Sequence, residues 1–93
     1  MANNLFISYD LHSPGQDYDK IADAIKNLGA WAKVQYSLWY VNSRLSAAEA
    51  GEKVRSAMDI NDSLIVIDAT NHNAYWYNLS QKVSNFIKEH WHK

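Results

Sequence analysis

Apolar residues in this chain recur at every second position, then at every third or fourth, then at every second again. That order of periods restricts the fold more than any single motif does. Residues 4 to 10 set Leu5, Ile7 and Tyr9 on one face and Phe6, Ser8 and Asp10 on the other, the alternation of a strand with one buried face. Asp10 ends that strand. Ser13 can cap a helix, Pro14 suits its first position and Gln16 can reach back to the cap, after which Tyr18, Ile21, Ala22, Ile25 and Leu28 follow at helical spacing until Gly29. Residues 31 to 42 turn to Trp, Tyr and Val and are too long for one average strand. They divide into strands near 31–35 and 37–42, although no Gly or Asn-Gly marks the turn.

A second capping box, Ser46 with Glu49, opens a helix from 47 to about 59 carrying Ala50, Val54, Ala57 and Met58. Asn61 and Asp62 make a turn, and Ser63 to Ala69 is a β-branched run suited to a strand covered on nearly both faces. Residues 70 to 73 read as loop, and Ala74-Tyr75-Trp76-Tyr77 as an aromatic loop or helix start. Leu79, Val83, Phe86, Ile87 and Trp91 form one stripe of a C-terminal helix, about 78–91, expected to pack back on the core. Strand, helix, strand, strand, helix, strand is the βαββαβ order of a ferredoxin-like α+β domain with an antiparallel sheet and an added helix. The whole chain, 1–93, is then one domain with its core in 4–69. The first strand should be central, flanked by the third and fourth, which brings Asp10 beside Ser37, Asp62 and Ser63.

Composition narrows the function. With 47% hydrophobic residues the chain can build a core, and its formal charge of −1 removes the bulk attraction of a basic nucleic-acid binder, so a polyanion must be held by a local patch. There is no cysteine, hence no disulfide frame, thiolate zinc site or thiol nucleophile. No apolar run exceeds four residues, as in Leu64 to Ile67, and Met1-Ala2-Asn3-Asn4 has no signal-peptide character. A soluble cytoplasmic protein with no membrane role is expected.

Phe6-Ile7-Ser8-Tyr9-Asp10, then Gly29, then Val34-Gln35-Tyr36-Ser37-Leu38-Trp39 resemble the small CRISPR-associated protein two family. A closer likeness is to its SinR-like branch of short bacterial and phage proteins, through Ser8-Tyr9-Asp10-Leu11, Pro14-Gly15-Gln16, Tyr18, Ala24-Ile25-Lys26, Gly29, Trp31, Ser37, Trp39 and Val41. The virulence-associated protein D ribonucleases are a more distant likeness. The resemblance covers residues 4 to about 68 and implies a ferredoxin-like fold, a homodimer, and in some members a divalent metal between paired first-strand aspartates that cuts phosphodiester bonds. Two departures stand out. The first helix carries Asp17, Asp19 and Asp23 where DNA-acting relatives have Arg and Lys, and the family's extra C-terminal strand that crosses to the partner is not evident, a Trp-containing helix standing in its place.

These residues define the candidate sites. Asp10, with Asp62 as a second ligand, could hold Mg²⁺ or Mn²⁺, since hard ions take oxygen ligands and a dimer would supply two Asp10 carboxylates. The plainer alternative is that each aspartate caps a turn. His12 could serve as general acid or base, or be an exposed loop histidine. Lys33 and Arg44, with Lys53 and Arg55, could hold phosphates beside Trp31, Tyr36, Ser37 and Trp39, or could be ordinary solvated surface. His90 and His92 could pair on a metal, or simply belong to a polar terminus. Three functions follow as expectations: a dimeric, non-catalytic binder of nucleic acid or of a defence-system protein, a metal-dependent endonuclease, and a nucleotide-sequestering antagonist of a defence system.

Overall fold

The protein is an α+β domain in which five antiparallel strands form one sheet, with three helices, in a computed structural model that describes residues 2–12 and 18–91. In chain order the elements are β1 (Asn3–Asp10), α1 (Tyr18–Lys26), β2 (Ala30–Gln35), β3 (Leu38–Ser43), α2 (Ala47–Arg55), β4 (Ser63–Asp68), β5 (Asn73–Tyr77) and α3 (Gln81–His90). The sheet order is β2-β3-β1-β4-β5, so β1 lies between β3 and β4 as the order of elements predicts. The proposed cap at Ser13, Pro14 and Gln16 lies outside the described residues, as does Asp17.

The core fills the space between one face of the sheet and the helices α1 and α2. Leu5, Ile7 and Tyr9 of β1 meet Trp39 and Val41 of β3, Leu64 and Val66 of β4, Ile21 and Ile25 of α1, and Ala50 and Val54 of α2. Burying each of the larger aliphatic side chains contributes roughly 1.5–3 kcal/mol relative to leaving it in water. Polar groups on this face are satisfied within the chain. The Ser43 hydroxyl donates to the Leu28 carbonyl at 2.7 Å and accepts from the Leu45 amide at 3.1 Å. The buried Asp68 accepts from the Thr70 and Asn71 amides at 3.0 and 3.1 Å, forming the turn between β4 and β5.

Helix α2 begins as its capping box predicts: the Glu49 amide donates to Ser46 Oγ at 3.1 Å and the Ser46 amide to Glu49 Oε1 at 2.9 Å. It ends at Arg55 rather than near 59, because the next two bonds tighten to three-residue spacing, Ala57 to the Val54 carbonyl and Met58 to the Arg55 carbonyl. Helix α1 likewise stops at Lys26, before Gly29. The glycine serves a different purpose from the helix stop expected of it. A Cβ at Gly29 would run into the Asn42 carbonyl, so its lack of a side chain lets the turn lie against β3.

Three expectations change. Residues 74–77 are neither loop nor helix start but the body of β5, paired with β4 of the same chain from Leu64↔Tyr77 to Asp68↔Asn73. The sheet therefore gains a fifth strand within the chain, beyond the four expected. Tyr75 and Tyr77 point to the core side, where Gly51 of α2 leaves room for the Tyr75 ring. The third change concerns α3, which does not pack into the core: it buries no residue, and Val83, Phe86 and Trp91 are 48%, 63% and 37% exposed. Two indole hydrogen bonds attach it, Trp76 Nε1 to Ser84 Oγ at 3.0 Å and Trp91 Nε1 to the His72 carbonyl at 2.6 Å. No helix among the described residues is long and apolar enough to cross a membrane.

Candidate functional site

Antiparallel pairing brings the end of β1 to the starts of β3 and β4. Asp10 pairs with Ser63 across β1 and β4, and Ser8 with Leu38 across β1 and β3. The tight turn between β2 and β3 then places Tyr36 and Ser37 at the same end of the sheet, beside the first turn of α1. A cleft of about 620 Å³ opens there, and Asp10, Lys33, Tyr36, Ser37 and Trp39 all line it. The sequence grouped Lys33, Tyr36, Ser37 and Trp39 as one binding candidate and Asp10 as a separate metal candidate. Tyr9, Tyr18 and Asp19 complete the wall and were not singled out as site residues.

Lys33 organises the open side. Its Nζ lies 5.2 Å from the centroid of the Tyr36 ring and 5.6 Å from that of Trp39, within cation–π range. Trp39 is buried at 3% exposure, and its indole Nε1 donates to the Tyr9 hydroxyl at 3.4 Å, so it forms the rigid floor. Tyr36 is 92% exposed and offers a free ring face. Behind Trp39 the row continues. Trp31 lies 5.5 Å from Trp39, ring to ring, and Lys26 of α1 stands 4.7 Å above the Trp31 ring. The β2–β3 hairpin thus presents a continuous sequence of cation and ring, Lys26, Trp31, Trp39, Lys33, Tyr36. Lys26 was not among the candidate site residues. Its signal was available: it precedes Trp31 by five residues across a helix-to-strand turn.

The remaining candidates fall elsewhere. Asp62 is fully buried and holds backbone, accepting from the His12 amide at 2.9 Å through Oδ1 and from the Asp59 amide at 2.8 Å through Oδ2. It therefore pins the segment after β1 to the α2–β4 connection and does not line the Asp10 cleft. His12 is exposed, with its backbone on Asp62 and its side chain outside the lining of the cleft. Arg44 sits at the opposite end of β3, in a separate hollow shared with Lys53. Arg55 lies 4.1 Å over the Tyr77 ring at the far edge of the sheet. Lys33, Arg44, Lys53 and Arg55 consequently form no single basic patch. His90 stacks on Phe86 with 4.1 Å between centroids, and its proposed partner His92 lies outside the described residues.

Among the described residues, no group of three or more His, Asp or Glu side chains could hold a metal ion. One chain brings a single carboxylate, Asp10, from the expected pair to the cleft. Asp19 is the other carboxylate that lines this cleft. No protein-family model matches this chain, and no curated protein or solved structure matches it either.

Proposed function

We propose that this chain is a non-catalytic, single-stranded nucleic-acid-binding module that works as a homodimer in the cytoplasm, in a prokaryotic or phage defence system. The observation that carries the reading is the row of lysines and rings on the β2–β3 hairpin, ending in the cleft beside Asp10. Exposed rings stack bases with little regard to sequence, and interleaved lysines neutralise the phosphates between them. Local charge suffices for such contacts. The chain's formal charge of −1 is then no obstacle, because Lys26 and Lys33 stand at the rings.

The dimer rests on the resemblance to the CRISPR-associated protein two family and on the sheet's second face, which neither α1 nor α2 covers. That face carries Phe6 and Tyr40, with ring centroids 5.5 Å apart, together with half-buried Ile65 and Ile67. The endonuclease reading keeps one supporting feature: Asp10 is exposed in the cleft, so two copies could face one ion. The nucleotide-sequestering reading has the cleft's size, since ligand pockets run about 300–1,000 Å³.

Fluorescence anisotropy of labelled single-stranded DNA and RNA, over a range of salt, tests the binding reading. Two lysine–phosphate contacts give a slope of about −1.4 in log K against log salt. Tyr36→Ala should weaken binding at least about fivefold, since stacking on one ring is worth ~1–3 kcal/mol per base. Absence of binding at low salt would refute the proposal. Cleavage in Mn²⁺ that Asp10→Ala abolishes would favour the endonuclease instead.

A further inference from the structure

We infer that the cleft at the end of β1 selects guanine over the other bases; the inference rests on the base-binding reading above. The lining of the cleft is chemically mixed. It combines the rings of Tyr36 and Trp39 and the Lys33 ammonium with the carboxylates of Asp10 and Asp19. Among the described residues neither carboxylate takes part in an ion pair. An ionised carboxylate only accepts hydrogen bonds, and its two oxygens are spaced to take two parallel donors. It also repels phosphate. A base entering with its ring over Tyr36 and its phosphate toward Lys33 then presents its edge to a lining carboxylate.

The four bases present different edges to that carboxylate. Guanine offers two adjacent donors on its Watson–Crick edge, the N1–H and the N2 amino group, which match both oxygens at once. Adenine and cytosine offer one amino group beside an unprotonated ring nitrogen, whose lone pair would face the second oxygen. Uracil and thymine offer one imide N–H between two carbonyls. Only guanine satisfies a carboxylate bidentately without an opposed acceptor. Asp10 is the assigned partner because it is exposed at the end of the central strand, held in register by Ser63 of β4, whereas Asp19 lies in the first turn of α1.

The test uses quenching of the intrinsic tryptophan fluorescence by the 5′-monophosphates of guanosine, inosine, adenosine, cytidine and uridine. Single-stranded thymidine pentamers with and without one central guanine form the second arm. Guanosine should bind about tenfold or more tighter than adenosine, cytidine or uridine, the discrimination of a good bidentate pair. Inosine, which keeps N1–H and lacks the N2 amino group, should bind several-fold weaker than guanosine. Asp10→Asn should bring the four common bases within about twofold of one another, while Asp19→Asn retains the guanine preference. Preference seen with the pentamers and not the monophosphates places the guanine within a strand, and the converse identifies a free guanosine nucleotide. Either pattern supports the inference. Equal affinity for all four bases, inosine binding as well as guanosine, or a preference that survives Asp10→Asn would overturn it. Binding of all bases without preference leaves the nucleic-acid reading standing. Binding of none removes that reading and the guanine inference together.

Discussion

The two edges of the sheet carry the same kinds of residue, tyrosine and tryptophan beside a cation, and use them differently. At the β5 edge every polar tip is tied to the chain itself. The Tyr75 hydroxyl donates to Glu52 at 2.7 Å, the Tyr77 hydroxyl to the Ile60 carbonyl at 2.8 Å and the Trp76 indole to Ser84 at 3.0 Å, while Arg55 covers the Tyr77 ring. At the β2 edge the rings of Trp31 and Tyr36 stand 46% and 92% exposed, with lysines over them. Aromatic residues that satisfy their own polar atoms fasten an element to the core. Those left open beside a cation remain available to another molecule. Composition alone cannot separate the two cases, whereas burial and hydrogen-bond partners do.

The largest effect that sharpens this contrast is expected at Gly51. Its missing side chain is what admits the Tyr75 ring, so Gly51→Leu forces β5 away from α2 and should cost about 3 kcal/mol, the upper range for overpacking a filled site. Chemical denaturation should show the loss. Asp62→Ala comes next, at about 2 kcal/mol, because it leaves the His12 and Asp59 amides without their acceptor. Tyr75→Phe removes the hydroxyl's bond to Glu52 and its interaction with Arg55, and should cost about 1 kcal/mol. Tyr36→Ala is the converse: stability should stay within about 0.5 kcal/mol of the parent while oligonucleotide binding falls. A β2-edge substitution that destabilises like Gly51→Leu would break the comparison.

A pH dependence belongs to the β5 edge as well. Burial, followed by the hydrogen bond to Glu52, raises the Tyr75 phenol above its ordinary value of 10.0. The native state favours the neutral phenol, so its contribution is complete below pH 10 and is lost as pH rises further, toward the folded value. Tyr75→Phe should flatten that alkaline loss in thermal melts. At the other end of the scale, the bonds from Ser46 hold Glu49 below its usual 4.5, a contribution present above that value and lost as acid protonates the capping box.

How far the sequence foretold these regions depends on what each signal specifies. Alternation in β1 and the capping box of α2 specify local geometry, and both stand as read, with Leu5 and Ile7 fully buried. From the strand order alone, Asp10 could be placed beside Ser37 and Ser63. β5 was missed although Tyr75, Trp76 and Tyr77 favour a strand, because the segment is short and runs into a helical stripe, and its pairing with β4 is a tertiary fact. The stripe on α3 foretold a helix but named no partner, and the folded chain supplies none that buries it. Asp62 shows a related limit: spacing gives a carboxylate's neighbourhood, not which amides it holds, here those of His12 and Asp59. The cleft itself was half legible, since Lys33, Tyr36, Ser37 and Trp39 were seen as a group while Tyr9 and Asp19 needed the fold.

The most direct test of the account is residue-resolved amide chemical-shift mapping with a short single-stranded oligonucleotide. Binding at the β2–β3 hairpin predicts perturbations concentrated at residues 10–12 and 31–39, with β5 and α3 unmoved. Perturbations centred on β5 and α3, or none at millimolar oligonucleotide, would contradict it.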